Sequence, residues 1–390
     1  MNAQGRRQYL PSPEQEMLLK ASLLEGHQAL EAWQTWNESV NLDSLDPQSY
    51  RMMPLLHRNL SRLGVSFGRN FMKIKGISRL CWYKNSLLIA SLKTVLDKMN
   101  FLGISPLALK GTALVLGGYY ENPGLRPMLD ADLLVPKKDW QQSVGILIDS
   151  GWQPKEPLPE TGCDPDLYFL CGRHSVTFVQ KDSHQEIDLH LRVFQELALP
   201  GVEDHMISRA THFSGNGIIC LIPSPEDMIL IAAVHGIRRV SPLEIPSIQW
   251  IPDIKAVFCN APGKIDWADI FRQAEILGLA NRLERGINYI NNVLALQLPP
   301  EALFERSCGR KSFSEKLDNA NLEAVTEISA EISNFAAIFF RTARFGFRLG
   351  QPISATAKSL LRMTGWIPWL LWKHTGHALL KRAKKKVHWS

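Results

Sequence analysis

Hydrophobic residues recur at helical spacing at both ends of the chain and at strand spacing in between. From Pro13 to Val40 the apolar positions fall on one face of a helix, with Ser12 as the N-cap. Further helical patterns run from Pro47 to Leu63 and from Asn70 to Met99. About a hundred residues of predicted helix therefore precede the first clear strand.

The pattern changes at Gly103, where short apolar runs begin to alternate with turns. The predicted elements are a strand at 106–110, a helix at 113–120, a strand at 130–135 and a helix at 137–149. Two further predicted strands, 175–180 and 186–193, flank the polar turn 181–185. Such an arrangement indicates a β-hairpin.

A second helical region is predicted to begin at Ser224, which is followed by a proline and two acids. These are the residue types preferred at a helix start. The helical pattern continues to the end of the chain, with a loop expected at 241–246. We therefore expect an α+β protein with four parts: an N-terminal helical region (1–102), a core with a small mixed sheet (103–222), a C-terminal helical domain (223–335) and a basic, Trp-containing helical tail (336–390).

The net charge of +6 is concentrated in the tail, since the segment from Ile332 to Ser390 holds eleven of the 44 basic residues and none of the 38 acidic ones. Trp366, Trp369 and Trp372 recur there at helical spacing, ahead of a lysine-rich end. One interpretation is a helix lying on an anionic membrane surface. The alternative is a Trp-lined helix packed on the body, and a nucleic acid is a further anionic partner.

Cytoplasmic localisation is expected, with membrane association through the tail as the alternative. The N-terminus lacks the apolar core of a secretion signal, and no segment qualifies as a membrane span. Six cysteines are scattered without a Cys-x-x-Cys pair or zinc-like spacing, which favours unreactive thiols in a reducing compartment.

Two predicted strands carry carboxylates with an alternating pattern. Asp130 and Asp132 are two residues apart, so their side chains leave the same face of a strand. On the second strand Asp188 shares the polar face with Glu186 and His190. If the strands are neighbours, three carboxylates converge and can hold two Mg²⁺ ions. The alternative is a solvated acidic face, with Glu186 as a spare ligand or a solvated acid and His190 either orienting a substrate or bonding within the sheet.

Three motifs resemble a known family. The motifs are Lys110-Gly111-Thr112, Arg126-Pro127-Met128-Leu129-Asp130-Ala131-Asp132 and Ile187-Asp188-Leu189-His190. Together they are similar to the uncharacterised bacterial branch of the polymerase-beta-like nucleotidyltransferase superfamily. Weaker resemblance extends outward from Trp33 to Phe258 and includes His235 and Asp253, which we expect to be a core histidine and an interhelical hydrogen-bond partner.

The resemblance implies a polymerase-beta-type core that binds a nucleoside triphosphate with Mg²⁺ or Mn²⁺. Asp130 and Asp132 would contact both metals and Asp188 the catalytic one. Lys110, Gly111, Thr112 and Arg126 would hold the phosphates. The implied reaction transfers a nucleoside monophosphate to an acceptor, which the sequence leaves open among a small molecule, a protein and an RNA end.

Two other functions remain as alternatives. The chain can be a non-catalytic interaction protein that keeps the nucleotidyltransferase fold. Less favoured is a glycosyltransferase, because those enzymes also use an Asp-x-Asp motif to hold Mn²⁺ and a nucleotide sugar. The hundred or so helical residues ahead of the motif argue against a glycosyltransferase, in which alternating strands and helices would come first.

Overall fold

The computed structural model describes residues 9–158, 174–194, 201–238, 245–261 and 263–303, together with residues 316 and 320. Residues 1–158, 174–194 and 200–310 form one compact unit, and all elements named below belong to it. The second unit comprises 159–173, 195–199 and 311–390, which lie almost wholly outside the described residues. The predicted tail with its tryptophans and lysines, and most of the loop expected at 241–246, fall outside as well.

Five helices form the N-terminal region, broadly as predicted. They are α1 (Pro13–Leu23), α2 (Gly26–Ser39), α3 (Pro47–Tyr50), α4 (Met53–Arg62) and α5 (Arg69–Phe101). The Ser12 hydroxyl caps α1 by accepting the N–H of Gln15 at 3.0 Å. The prediction of one helix from 13 to 40 is wrong, because Leu24 and Glu25 are extended and Gly26 has a φ of +60°. A continuous helix excludes these backbone angles.

The described residues contain a seven-stranded mixed sheet of order β3-β4-β5-β2-β1-β7-β6. The strands are β1 (Leu107–Ala108), β2 (Asp130–Leu134), β3 (Trp152–Pro154), β4 (Ser175–Gln180), β5 (Glu186–His190), β6 (Thr211–Gly215) and β7 (Ile218–Ile222). Strand β2 runs parallel to β5 and antiparallel to β1. Strands β4 and β5 are antiparallel neighbours, which confirms the predicted hairpin.

The β6–β7 hairpin, which the sequence analysis missed, extends the sheet on the far side of β1. Leu221 of β7 pairs in parallel with Leu107 of β1. At the hairpin turn Asn216 and Gly217 have φ angles of +53° and +71°. Positive φ at both central residues is the requirement of a type I′ turn, for which Asn-Gly is the preferred sequence.

The remaining helices complete the α+β fold. They are α6 (Lys110–Leu116), α7 (Trp140–Asp149), α8 (Val202–Arg209), α9 (Pro225–Gly236), α10 (Trp250–Asn260), α11 (Trp267–Leu277) and α12 (Ala280–Leu294). Helix α9 begins as predicted, since the Ser224 hydroxyl accepts the N–H of Asp227 at 3.2 Å. Helices α9 and α10 pack against each other and both reach α6, at the end of β1. None of the described helices combines the length and hydropathy that a membrane span requires.

Candidate active site

Strands β2 and β5 bring the acidic residues of the two motifs side by side. Their register places Asp132 opposite Asp188 and Asp130 opposite Glu186. One ligand atom from each of Asp132, Asp188 and His190 lies within 4.8 Å of the others. Carboxylate oxygens and an imidazole nitrogen are ligands that divalent cations accept. The residues present therefore fit a metal ion.

Asp132 is the most firmly held of these acids. It is 4% exposed, and its Oδ1 accepts a hydrogen bond from Lys110 Nζ at 2.6 Å and lies 2.9 Å from His190 Nε2. Its backbone N–H donates to the hydroxyl of Thr112 at 3.0 Å. Burial opposes ionisation of Asp132, but Lys110 and His190 together bring its pKa well below the usual range. Asp132 is thus a fixed carboxylate.

Asp130 behaves differently, although it leaves the same face of β2. Burial and the neighbouring carboxylates of Asp132 and Asp188 raise its pKa to about 6. The Asp188 carboxylate is anchored on the next strand, where its Oδ1 accepts a hydrogen bond from Thr177 Oγ1 at 2.6 Å. The three acids repel one another, and a divalent cation would remove the repulsion.

The turn that opens α6 explains how Lys110 reaches Asp132. Lys110 has a φ of +47°, a left-handed value that costs a non-glycine residue about 1 kcal/mol or more and is often found at functional sites. A Cβ added to Gly111 would lie 3.1 Å from Met128 Cγ and 3.3 Å from Arg126 Nη1. Gly111 therefore permits a close approach of the Arg126 side chain, while Thr112, 1% exposed, is buried behind the turn.

A cleft of about 350 Å³ opens beside the carboxylates. It lies among α6, the start of β2, α9, α10 and residues 48–51. Its charged lining residues are Arg51, Lys110, Arg126, Arg238, Asp130, Asp132 and Asp253. Leu114, Met228, Ile231 and Trp250 are among its apolar lining residues. A cleft of this size with mixed polar and apolar walls is suited to a small-molecule ligand.

Arg126 and Asp253, which both line the cleft, form a bidentate ion pair. Arg126 Nε and Nη2 donate to Asp253 Oδ1 and Oδ2 at 2.7 and 2.9 Å, and the Tyr120 hydroxyl donates to Oδ1 at 2.7 Å. Burial lowers the pKa of Arg126, but the Asp253 carboxylate outweighs burial and raises it. Asp253 is thus a hydrogen-bond partner of the motif arginine, whose contact with a phosphate stays a prediction.

Arg51 is a cleft residue that the sequence analysis missed. Its Nη1 donates to Gln249 Oε1 at 3.1 Å, and Arg126 Nη1 donates to the same oxygen at 3.0 Å. Burial and the like charge of Arg126 lower the pKa of Arg51. Among the described residues, no carboxylate forms an ion pair with Arg51 or with Arg238. A lone arginine in the turn that follows a short helix carries no sequence signal that would have indicated this position.

Three histidine rings lie close to one another near Asp132, and one of them, His190, contacts it. The ring of His174 is 5.1 Å from that of His190 and 6.2 Å from that of His235. Burial, helped by His190 and Lys110, lowers the pKa of His174 to about 2. His235, expected in the core, is half-buried and lines the cleft. Burial also brings the pKa of His235 well below its usual value, so both rings are neutral.

The sequence model of a family described as an uncharacterised nucleotidyltransferase matches residues 48–295, more than half of the chain. The chain belongs to this nucleotidyltransferase family. The match includes the carboxylates of β2 and β5, the Lys110 turn, Arg51 and the cleft-lining helices α9 and α10. No curated protein matches this family member.

Among solved structures, this nucleotidyltransferase family member is similar to an antigenic nucleotidyltransferase-like protein from Paracoccidioides brasiliensis. The two are 17% identical, with a TM-score of 0.34, and the alignment covers 55% of this chain and 97% of that one. The assignment to the family stands on the sequence match.

The structure thus brings Asp130, Asp132, Lys110 and Arg126 to the lining of one cleft, and Asp188 lies beside Asp132 on β5. Gly111 also lines the cleft, whereas Thr112 contacts the backbone of β2 and does not line it. Glu186, a spare ligand candidate, forms an ion pair with Lys155, the residue that follows β3. The metal and phosphate roles of these residues stay predictions.

Proposed function

We propose that this protein is a metal-dependent nucleotidyltransferase that transfers a nucleoside monophosphate from a nucleoside triphosphate to a hydroxyl or phosphate acceptor. The observation that carries the proposal is the register of β2 and β5, which aligns Asp132 with Asp188 beside a cleft that contains four basic side chains. The nucleotidyltransferase family of the chain supports the same reaction class.

Each side of the cleft has a role in this proposal. Asp130, Asp132 and Asp188 would hold Mg²⁺ or Mn²⁺, which when bound neutralises phosphate charge and activates the attacking oxygen. Lys110 and Arg126 would bind the phosphates, together with Arg51, which also lines the cleft. Thr112 would act indirectly, since its hydroxyl accepts the N–H of Asp132 and fixes β2 against α6.

The reaction requires one bond to form and one to break. An oxygen of the acceptor forms a bond to the α-phosphorus, while the bond from that phosphorus to the oxygen bridging to the β-phosphate breaks. Pyrophosphate leaves with the electron pair. For a hydroxyl acceptor, the proton passes to a site carboxylate or to water. In this proposal Asp188 would accept the proton, because Thr177 holds its Oδ1 and its Oδ2 accepts no hydrogen bond from any described residue.

Calorimetry with each nucleoside triphosphate, with and without Mg²⁺ or Mn²⁺, tests the binding half of the proposal. We expect metal-dependent binding by the wild type that the Asp130→Ala/Asp132→Ala variant loses. Asp182→Ala is the matched control, because Asp182 is an exposed acid in the turn between β4 and β5. Circular dichroism establishes that all proteins are folded.

Triphosphates labelled at the α- or the γ-phosphate test the transfer half. Nucleotidyl transfer leaves the α-label on the acceptor and releases the γ-label in pyrophosphate, whereas a kinase would do the reverse. Metal-dependent binding with no transfer to any small molecule, protein or RNA would favour a non-catalytic interaction protein. Binding of sugar nucleotides with Mn²⁺, but of no triphosphate, would replace the proposal with a glycosyltransferase.

A further inference from the structure

His190, the last residue of β5, has both ring nitrogens directed at oxygen atoms. The residue is fully buried. Its Nδ1 lies 3.2 Å from the backbone carbonyl oxygen of Arg192, and its Nε2 lies 2.9 Å from Oδ1 of Asp132. A carbonyl oxygen and an ionised carboxylate oxygen both accept hydrogen bonds and donate none. Each ring nitrogen therefore faces an acceptor.

A neutral imidazole has one N–H and one lone pair, so it cannot donate to both oxygens. If Nδ1 donates to the carbonyl, the lone pair of Nε2 points at the carboxylate of Asp132. Two arrangements remove this conflict: a second proton on His190, or a cation shared by Nε2 and the carboxylate.

The surroundings of His190 favour the shared cation. Asp188 supplies a further ligand atom within 4.8 Å of both residues. An Nδ1–H donated to a backbone carbonyl is also how metal-binding histidines are usually oriented.

We propose that Nε2 of His190 is a ligand of the metal ion held by Asp132 and Asp188, and that the site consequently prefers a transition-metal ion to Mg²⁺. This inference rests on the proposed function, because it names a further ligand of the same metal site. Imidazole nitrogen favours first-row transition metals, whereas sites made only of oxygen ligands suit Mg²⁺.

Electron spin echo envelope modulation of Mn²⁺ bound to the full-length protein tests the assignment directly. The expected spectrum contains modulation from a coordinated ¹⁴N nucleus, and labelling the protein with ¹⁵N-histidine changes that modulation. This comparison uses only the wild-type sequence, so it does not depend on whether a variant folds.

His190→Gln, with its folding checked by circular dichroism, is expected to lose the nitrogen modulation and to bind Mn²⁺ about tenfold more weakly or worse. His235→Gln is the matched control, because His235 is also partly buried and lines the cleft but is not part of the ligand cluster. The control is expected to retain the modulation. Calorimetry should also show tighter binding of Mn²⁺ than of Mg²⁺ by the wild type and a smaller ratio for His190→Gln.

Two contrary results have separate meanings. Bound Mn²⁺ without histidine modulation, or equal affinities for Mn²⁺ and Mg²⁺, overturns the role of His190 and leaves the proposed function intact. Absence of any metal-dependent triphosphate binding overturns the metal site, and with it both the proposed function and this inference.

Discussion

The two walls of the cleft carry opposite excesses of charge. The acidic wall consists of Asp130, Asp132 and Asp188 on β2 and β5, where Lys110 donates a hydrogen bond to Asp132 and also favours ionisation of Asp130. The arginine wall consists of Arg51 and Arg126, which converge on one amide oxygen of Gln249, and within the described part of the chain Asp253 forms an ion pair with Arg126 alone. The first wall is thus short of positive charge and the second is short of negative charge.

A complex of a divalent cation with a triphosphate would satisfy both walls together. The cation supplies the charge that the acidic wall lacks, and the phosphates supply the charge that the arginine wall lacks. The difference between the walls therefore indicates how such a ligand would be oriented, with its metal end towards Asp132 and its phosphates extending towards Arg51 and Arg126.

Removing the one acid of the arginine wall should have the largest effect on stability. Asp253→Ala leaves Arg126 buried without its counter-ion and removes the partner of the Tyr120 hydroxyl. We expect the free energy of unfolding, measured by urea denaturation, to fall by about 3–5 kcal/mol. The double variant Arg126→Met/Asp253→Leu should be less destabilised than Asp253→Ala, because it buries no unpaired charge.

Asp97→Ala is the control for this experiment. Asp97 forms an exposed ion pair with Lys93 on α5, and the loss of such a pair costs no more than about 1 kcal/mol. If Asp253→Ala were as mild as Asp97→Ala, the arginine wall would be hydrated, and the buried charge inferred for it would be wrong.

The acidic wall was predictable from the sequence because it depends on local periodicity. Alternation with a period of two places Asp130 and Asp132 on one face and sorts Ile187 and Asp188 to opposite faces. The polar turn 181–185 fixes the β4–β5 hairpin, and so only the pairing of β2 with β5 remained to be assumed. Metal binding by these acids is still a prediction that the experiments above address.

The arginine wall was not predictable in the same way. Arg51 donates a hydrogen bond to Gln249, which is 198 positions further along the chain. No periodic pattern in the sequence encodes such a contact. The breaks within the N-terminal helices were missed because amphipathic spacing continues through them. By contrast, the Asn216-Gly217 turn was a local signal for the β6–β7 hairpin that the pattern analysis overlooked.

Arg51→Met tests whether the arginine wall binds phosphate. Losing a charge-assisted hydrogen bond to a phosphate should weaken triphosphate binding about 10- to 100-fold. Stability should change little, because the substitution also removes the repulsion between Arg51 and Arg126. Calorimetry measures the affinity, and Arg62→Met is the control, since Arg62 pairs with Glu121 on the surface. If Arg51→Met and Arg62→Met bound the triphosphate with equal affinity, the phosphates would not contact Arg51.

Gly111→Ala should have the smallest effect and tests the spacing between the walls. An alanine Cβ would lie 3.1 Å from Met128 Cγ and 3.3 Å from Arg126 Nη1, so the arginine wall must shift by a few tenths of an ångström. We expect the free energy of unfolding, measured by urea denaturation, to fall by about 1 kcal/mol, because strain exceeds the gain in helix propensity.

Gly145→Ala in α7 is the matched control. A Cβ there would meet nothing within 4 Å, so this variant should be stabilised by up to about 1 kcal/mol. If Gly111→Ala and Gly145→Ala were stabilised equally, the Arg126 side chain would be able to move away from the new methyl group at little cost. Gly111 would then not set the distance between the walls.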